Sequence, residues 1–319
     1  MTSTAPSRAA QPGRARVNSY TTRDGVSAPI ELAYDVFGSS RGRPLVLIMG
    51  IGAQRIFWDQ SMCDQLVDAG FQVVRFDHRD IGESTHLEAA TPRPLPLLAK
   101  SLAKIPITNV PYSLSDMAND VVGLLDALGW STAHVVGASL GGMVAQHLAI
   151  EHPARIRSLT SIMSTPGGRR YVPKPHALRA LFSPRPKTAD EAGQHVIDLF
   201  SAIGSTAWAT DTSRLREIGR AAFERGMNPR GFMRQFAAVG ASGDRRPKLP
   251  STPVPTLVIH GSRDPMFPAS AGRKLASLVP HGTWLPITGM GHDLPPPLWP
   301  TLVRAIARHA ERADAHATV

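Results

Sequence analysis

The chain has 319 residues, 42% hydrophobic and 19% charged, the proportions of a soluble globular protein rather than a disordered or fibrous one. Its single cysteine, Cys63, excludes an internal disulfide framework and any multi-cysteine metal site, and reads as a small packed thiol. The formal charge of +10 is concentrated between 169 and 248, where 15 Lys+Arg stand against 7 Asp+Glu. The arginines there recur at helical spacing, as in "RLREIGRAAFERG", without the stripe or module that nucleic-acid binding requires, so a solvated helix face is expected.

The N-terminal "MTSTAPSRAAQPGRARVN" lacks the apolar core of a secretory signal, and no later run reaches membrane-spanning length. A cytoplasmic protein without stable membrane insertion is the expectation. Residues 1–15, rich in Ala, Pro, Ser and Arg, are expected to form a disordered tail. "ARVNSY" and "PIELAYDVFG", flanking the turn-prone "RDGVSA", read as an antiparallel pair.

Six short apolar runs follow: "PLVLIMG", "FQVVRFD", "AHVVGAS", "IRSLTSIMS", "PTLVIHGSRD" and "GTWLPITG". Strands this uniformly apolar suit a parallel sheet covered on both faces. Helical patterns lie between them, among them "LSDMANDVVGLLDALG", which opens with Ser113 and Asp116 at capping-box spacing. The alternation predicts a doubly wound, mostly parallel α/β sheet. It breaks between 165 and 250, where helical patterns predict an insertion after the sixth strand. The expected division is a core of 16–164 and 251–312, a helical cap of 165–250 and a tail of 313–319. A smaller excursion, residues 87–112, is expected to hold one short basic helix.

"HVVGASLGGMVAQ" sets a serine among small residues between a strand and a helix. Gly137-Ala138-Ser139-Leu140-Gly141 fits G-x-S-x-G, a turn so sharp that it projects the serine hydroxyl. Strand–helix packing alone could also account for the glycines. A nucleophile there needs an acid and then a histidine, each just past a later strand. Asp264 in "LVIHGSRDPMFP" and His292 in "ITGMGHDLPPP" stand at those places. His292 is then the base for Ser139, and Asp264 holds its tautomer. Asp293 is a rival acid, and His260 reads as a hydrogen-bonded core residue. The backbone N–H groups of Leu140 and of Ile51, in the "MGIG" turn, are the expected oxyanion donors. Asp77, Arg79 and Asp80 read as an ion-paired turn. Gln54 and Phe232 are candidate substrate contacts, and Met143, Met163 and Met290 either soften an acyl pocket or fill core.

From about Ser19 to Ala310 the chain resembles the α/β-hydrolase superfamily, through "LVLIMGIGAQRIFWD", "VVRFDHRDIGEST", "HVVGASLGGMVAQ" and "VIHGSRDPMFP…GMGHDLP" taken in order. Within it the chain is most similar to bacterial esterases and lipases of the aclacinomycin methylesterase type. The resemblance implies a carboxylic-ester hydrolase acting through a Ser-His-Asp triad and an acyl-enzyme on a small or medium ester, with no cofactor and no metal. Carbon–carbon bond hydrolysis, lactone hydrolysis or perhydrolysis by the same triad, and a non-catalytic binder on the same fold, are the alternatives. Oligomeric state is left open.

Overall fold

A computed structural model describes residues 10–317 apart from 23, 94, 95, 98, 100–102, 104, 106 and 169. Eight strands form one sheet: β1 (Gln11–Thr21), β2 (Ser27–Phe37), β3 (Arg43–Ile48), β4 (Phe71–Phe76), β5 (Ala133–Ala138), β6 (Ile156–Ile162), β7 (Thr256–Gly261) and β8 (Gly282–Ile287). Their order across the sheet is β1-β2-β4-β3-β5-β6-β7-β8. β1 and β2 pair antiparallel and β2 meets β4 antiparallel, whereas β3 to β8 run parallel. The helices are α1 (Gln60–Asp68), α2 (Leu114–Ala127), α3 (Leu140–Glu151), α4 (Pro175–Leu181), α5 (Ala189–Ile203), α6 (Thr212–Glu224), α7 (Pro229–Ala241), α8 (Ala269–Leu278) and α9 (Trp299–Ala317).

The apolar strands are buried on both faces, and the period of two divides their side chains between two cores. Val46, Ile48 and Val74 join one cluster with Val121 and Leu124 of α2 and Val144 and Leu148 of α3. Leu45, Leu47 and Val73 point the other way, into a cluster with Met62 and Leu66 of α1 and Leu302 and Ile306 of α9. Cys63 packs in the second cluster, and burial pushes its thiol up to about 12. The capping box of α2 forms as the spacing requires: Ser113 accepts from the Asp116 N–H while the Asp116 carboxylate accepts from the Ser113 N–H. Four helices, α4 to α7, lie between β6 and β7.

Two expected tails differ from the structure. β1 begins at Gln11, inside the segment expected to be disordered, because β2 is long enough to pair with it back to Val36. Pro12 is tolerated because this is an edge strand. At the other end α9 continues through the expected tail at 313 to Ala317, since Ala310 and Ala313 are buried and Asp314 reaches Arg157 at 3.4 Å and His134 at 3.4 Å. The short basic helix expected within 87–112 falls largely on residues outside those described.

Two buried histidines make stability depend on pH. Burial lowers both His78, whose Nε2 lies 3.0 Å from the Met49 carbonyl, and His134, at 2.8 Å from Ser158 Oγ, to about 4. Each folds neutral and charges more readily in the unfolded chain, so its contribution is complete above about pH 6.5 and is lost as pH falls toward 4. Within that window each group costs up to about 1.4 kcal/mol per pH unit. Urea unfolding from pH 7.5 to 4.5 is expected to show a falling midpoint, with a shallower fall in His134→Gln. Parallel curves for the two proteins would refute a neutral buried His134.

Candidate active site

Ser139 sits between β5 and α3 at φ 55 and ψ −115, a conformation that costs a non-glycine residue on the order of 1–3 kcal/mol. The neighbouring glycines make that turn possible. A Cβ on Gly137 would lie 2.3 Å from the Gly141 carbonyl oxygen, straight across the turn. A Cβ on Gly141 would lie 2.0 Å from the Ile48 carbonyl oxygen at the end of β3. The two explanations open in the sequence are therefore one: close packing of helix on strand is what creates the turn. Ser139 N–H donates to the Ile162 carbonyl (3.0 Å), and the Ser139 carbonyl accepts from Ser164 Oγ (2.7 Å) and from the first turn of α3.

The structure brings Ser139, His292 and Asp264 together. His292 Nε2 is 2.9 Å from Ser139 Oγ, and its Nδ1 is 2.9 Å from Asp264 Oδ2. The other carboxylate oxygen of Asp264 accepts from the N–H groups of Met266 and Phe267 at 2.8 and 3.0 Å. Burial alone would raise the Asp264 pKa, but the His292 charge and hydrogen bonds from His260 and His292 hold it at about 2. It is thus ionised throughout the neutral range. His260 is fully buried, with Nε2 3.0 Å from the Phe267 carbonyl and 3.3 Å from Asp264 Oδ2. It is a core residue, as expected, and also a second support for the carboxylate.

Asp293 faces elsewhere: its carboxylate accepts from Ser205 Oγ at 2.5 Å, and burial raises its pKa. Ser205 had no signal in the sequence, yet residues 203–207 bond along the histidine loop, which Ser262 and Arg263 hold from the β7 side. His292 N–H donates to the Ile203 carbonyl (2.7 Å), Gly291 N–H to Ser205 Oγ (3.0 Å), and Thr206 N–H to the Gly289 carbonyl (2.9 Å).

The "MGIG" turn lies against the serine, for a Cβ on Gly50 would be 3.4 Å from Ser139 Cβ. Gly52 N–H is taken by Gln235 Oε1 at 2.8 Å. The N–H groups of Ile51 and Leu140 enter none of the turn and cap hydrogen bonds among the described residues. Leu140 is the first residue of α3, where an N–H has no partner within the helix and the macrodipole favours negative charge.

A cavity of about 220 Å³ opens at Ser139 and His292. Leu181, Leu199, Phe200 and Phe232 line it from the segment between β6 and β7, and Met163 lines it from the end of β6. Met143 and Met290 are core instead. Gln54 lines the cavity too, and its amide is tied to the end of α6. Nε2 donates to the carbonyls of Ala222 (2.7 Å) and Gly226 (2.9 Å), and Oε1 accepts from Arg225 (2.9 Å). It ties the end of α6 to the core.

The charged turn expected at Asp77, Arg79 and Asp80 is ion-paired throughout. Asp77 meets Arg55 and Arg225, Arg79 meets Asp120 at 2.5 Å, and Asp80 meets Arg234 of α7 at 2.6 Å.

Ser242, His147 and Glu151 make a second serine–histidine–carboxylate row, at 3.0 and 2.7 Å. Ser242 caps the end of α7 in an ordinary helical conformation and accepts from Arg245 Nη1 at 2.8 Å, and none of the three lines the cavity. The strained turn that distinguishes Ser139 is missing there.

Residues 43–194 match the family model of the alpha/beta hydrolase fold. The chain is similar to rhodomycin D methylesterase DnrP of Streptomyces peucetius, 27% identical over 92% of this chain and 99% of that protein. It is also similar to the putative carbamate hydrolase RutD of Variovorax paradoxus, 28% identical over 82% of this chain and 90% of the other. Among solved structures, a thermophilic esterase from Thermogutta terrifontis superposes with a TM-score of 0.68 at 21% identity, covering 94% of this chain and 99% of that one.

The packing of the turn is open to a direct test. Gly141→Ala should destabilise the protein by about 1–3 kcal/mol, the usual penalty for overpacking, read from the urea midpoint. A neutral substitution would show that the approach of α3 to β3 is not what constrains this position.

Proposed function

The chain is an α/β-hydrolase-fold protein, and we propose that it hydrolyses small carboxylic esters through an acyl-enzyme on Ser139. The observation that carries the proposal is the hydrogen-bonded row Ser139–His292–Asp264 beside a largely apolar cavity. Methylesterases and a putative carbamate hydrolase among the relatives support the same class of chemistry.

In this reading Ser139 Oγ attacks the ester carbonyl carbon as its proton passes to His292 Nε2. The carbonyl oxygen becomes an oxyanion held by the N–H groups of Ile51 and Leu140. Collapse of the tetrahedral intermediate expels the alcohol, which takes the proton from His292 and leaves an acyl-serine. Water, deprotonated by the same nitrogen, adds to that ester, and a second collapse returns the proton to Ser139 and releases the acid. Asp264 stays ionised and stabilises the imidazolium at each passage. The scheme calls for neither metal nor cofactor.

We assign α4 to α7 the role of a cap. They supply Phe232 and the other apolar walls, and they exclude water from the acyl-enzyme. At about 220 Å³ the cavity is below the roughly 300–1,000 Å³ of drug-sized sites, which favours a compact ester.

A fluorophosphonate should label Ser139 once per chain, and Ser139→Ala should abolish both labelling and ester turnover. Label found on Ser242 would overturn the assignment. Asp264→Asn should fold but lose roughly four orders of magnitude in kcat, as in serine proteases that lose the triad carboxylate. Asp293→Asn should lose much less, because its partner is Ser205. A larger loss in Asp293→Asn would transfer the acid role to that residue.

A further inference from the structure

Among the described residues, the fully buried arginines have acceptors. Arg55 meets Asp77 and Glu83, Arg75 meets Asp35, Arg79 meets Asp120, and Arg234 meets Asp80. Arg245, lacking a carboxylate in contact, donates to Gln146 Oε1, to the Thr165 carbonyl and to Ser242.

Arg185 departs from this pattern. It lies between α4 and α5 on the cavity wall, partly buried, with its guanidinium 4.1 Å from the centre of the Phe232 ring. Among the described residues no hydrogen bond or ion pair engages it. Burial lowers its pKa, and no acidic neighbour acts against that. The two carboxylates that share the cavity are engaged elsewhere: Asp211 caps α6, and Asp293 is held by Ser205. His195, also on the wall, is lowered by burial and then by the Arg185 charge. The Phe232 ring backs onto the oxyanion turn, since a Cβ on Gly52 would be 2.7 Å from its Cδ2. The cation is therefore one aromatic ring away from the turn that faces Ser139.

A guanidinium taken partly out of water without an acceptor is costly to the free protein, and a planar bidentate anion relieves that cost. We propose that the preferred ester carries a free carboxylate, and that Arg185 binds this carboxylate while Ser139 attacks the ester carbonyl. The substrate class is then half-esters of short dicarboxylic acids, which suit the small cavity. This rests on the ester-hydrolase reading.

The test compares monomethyl glutarate with methyl pentanoate, which share the five-carbon acyl chain and differ in the terminal carboxylate, by pH-stat at low salt. The wild-type kcat/KM should favour the anion by roughly tenfold or more, the size expected of one charge-assisted hydrogen-bonded pair. Arg185→Met should collapse that ratio toward one, chiefly through KM, and Arg185→Lys should restore part of it. A ratio unchanged in Arg185→Met, or a wild type that favours methyl pentanoate, would overturn the proposal. Arg185→Gln gives the same comparison if the Met variant fails to fold.

A second arm needs no turnover. Glutarate, but not glutaramide, should raise the melting midpoint of Ser139→Ala, and adding Arg185→Met should remove the rise. If neither ester is hydrolysed, the ester-hydrolase reading fails, while the glutarate shift still decides the anion site. Absence of that shift would defeat the site directly.

Discussion

The structure turns on the close approach of α3 to the end of β3. Gly141 touches the Ile48 carbonyl, and Gly137 has no room for a side chain beneath Gly141. With helix and strand this close, the single residue between them must reverse the chain abruptly, and Ser139 takes up the left-handed φ that results. Its hydroxyl is thereby placed on the cavity at the sheet edge, and the first N–H of α3, with no partner within the helix, belongs to the very next residue. One packing contact thus supplies the placement of the hydroxyl and one candidate donor, and the strain it stores is held by the two cores on either side of the sheet.

The segment between β6 and β7 is attached to that edge by apolar contacts, among them Phe57 against Val196, Ile197 and Leu215, and by buried polar ones. Asp77 and Asp80, in the turn after β4, receive Arg225 from the end of α6 and Arg234 from α7. Gln54 donates to the end of α6, and Gln235 of α7 accepts from the Gly52 N–H in the "MGIG" turn. Buried charges left unpaired would be costly, so these pairs hold the segment in one register over the cavity. Gly52 and Phe232 meet at the same place, which couples the shape of the "MGIG" turn to the position of α7.

The histidine loop depends on the same segment. The backbone at 203–206 and the Ser205 hydroxyl fix Gly289, Gly291, His292 and Asp293. His292 is therefore oriented from two sides, by Asp264 of the sheet edge and by a helix end from the inserted segment. This also separates the two adjacent carboxylates: Asp264 is kept ionised by histidines, whereas Asp293 is drawn to a serine hydroxyl.

Much of this was legible in the chain. Short apolar runs at β3 to β7 read as strands buried on both faces, and G-x-S-x-G between a strand and a helix reads as a sharp turn, so the sheet, the turn at Ser139 and the places of Asp264 and His292 past later strands were legible from local pattern and order. Partners chosen across long separations did not follow. Nothing near Gln54 indicates that its amide will meet the end of α6, and nothing near Ser205 ties it to a loop 86 residues away. Gln11 joins a strand because β2 happens to be long enough to pair with it, and Asp314 sits in a helix because Arg157 and His134 are in reach. Arg185 reads like every other arginine of the basic segment until the fold shows which of them find acceptors. Local pattern dictates backbone conformation through sterics and burial, whereas the pairing of polar groups is decided by which surfaces the completed fold brings into contact.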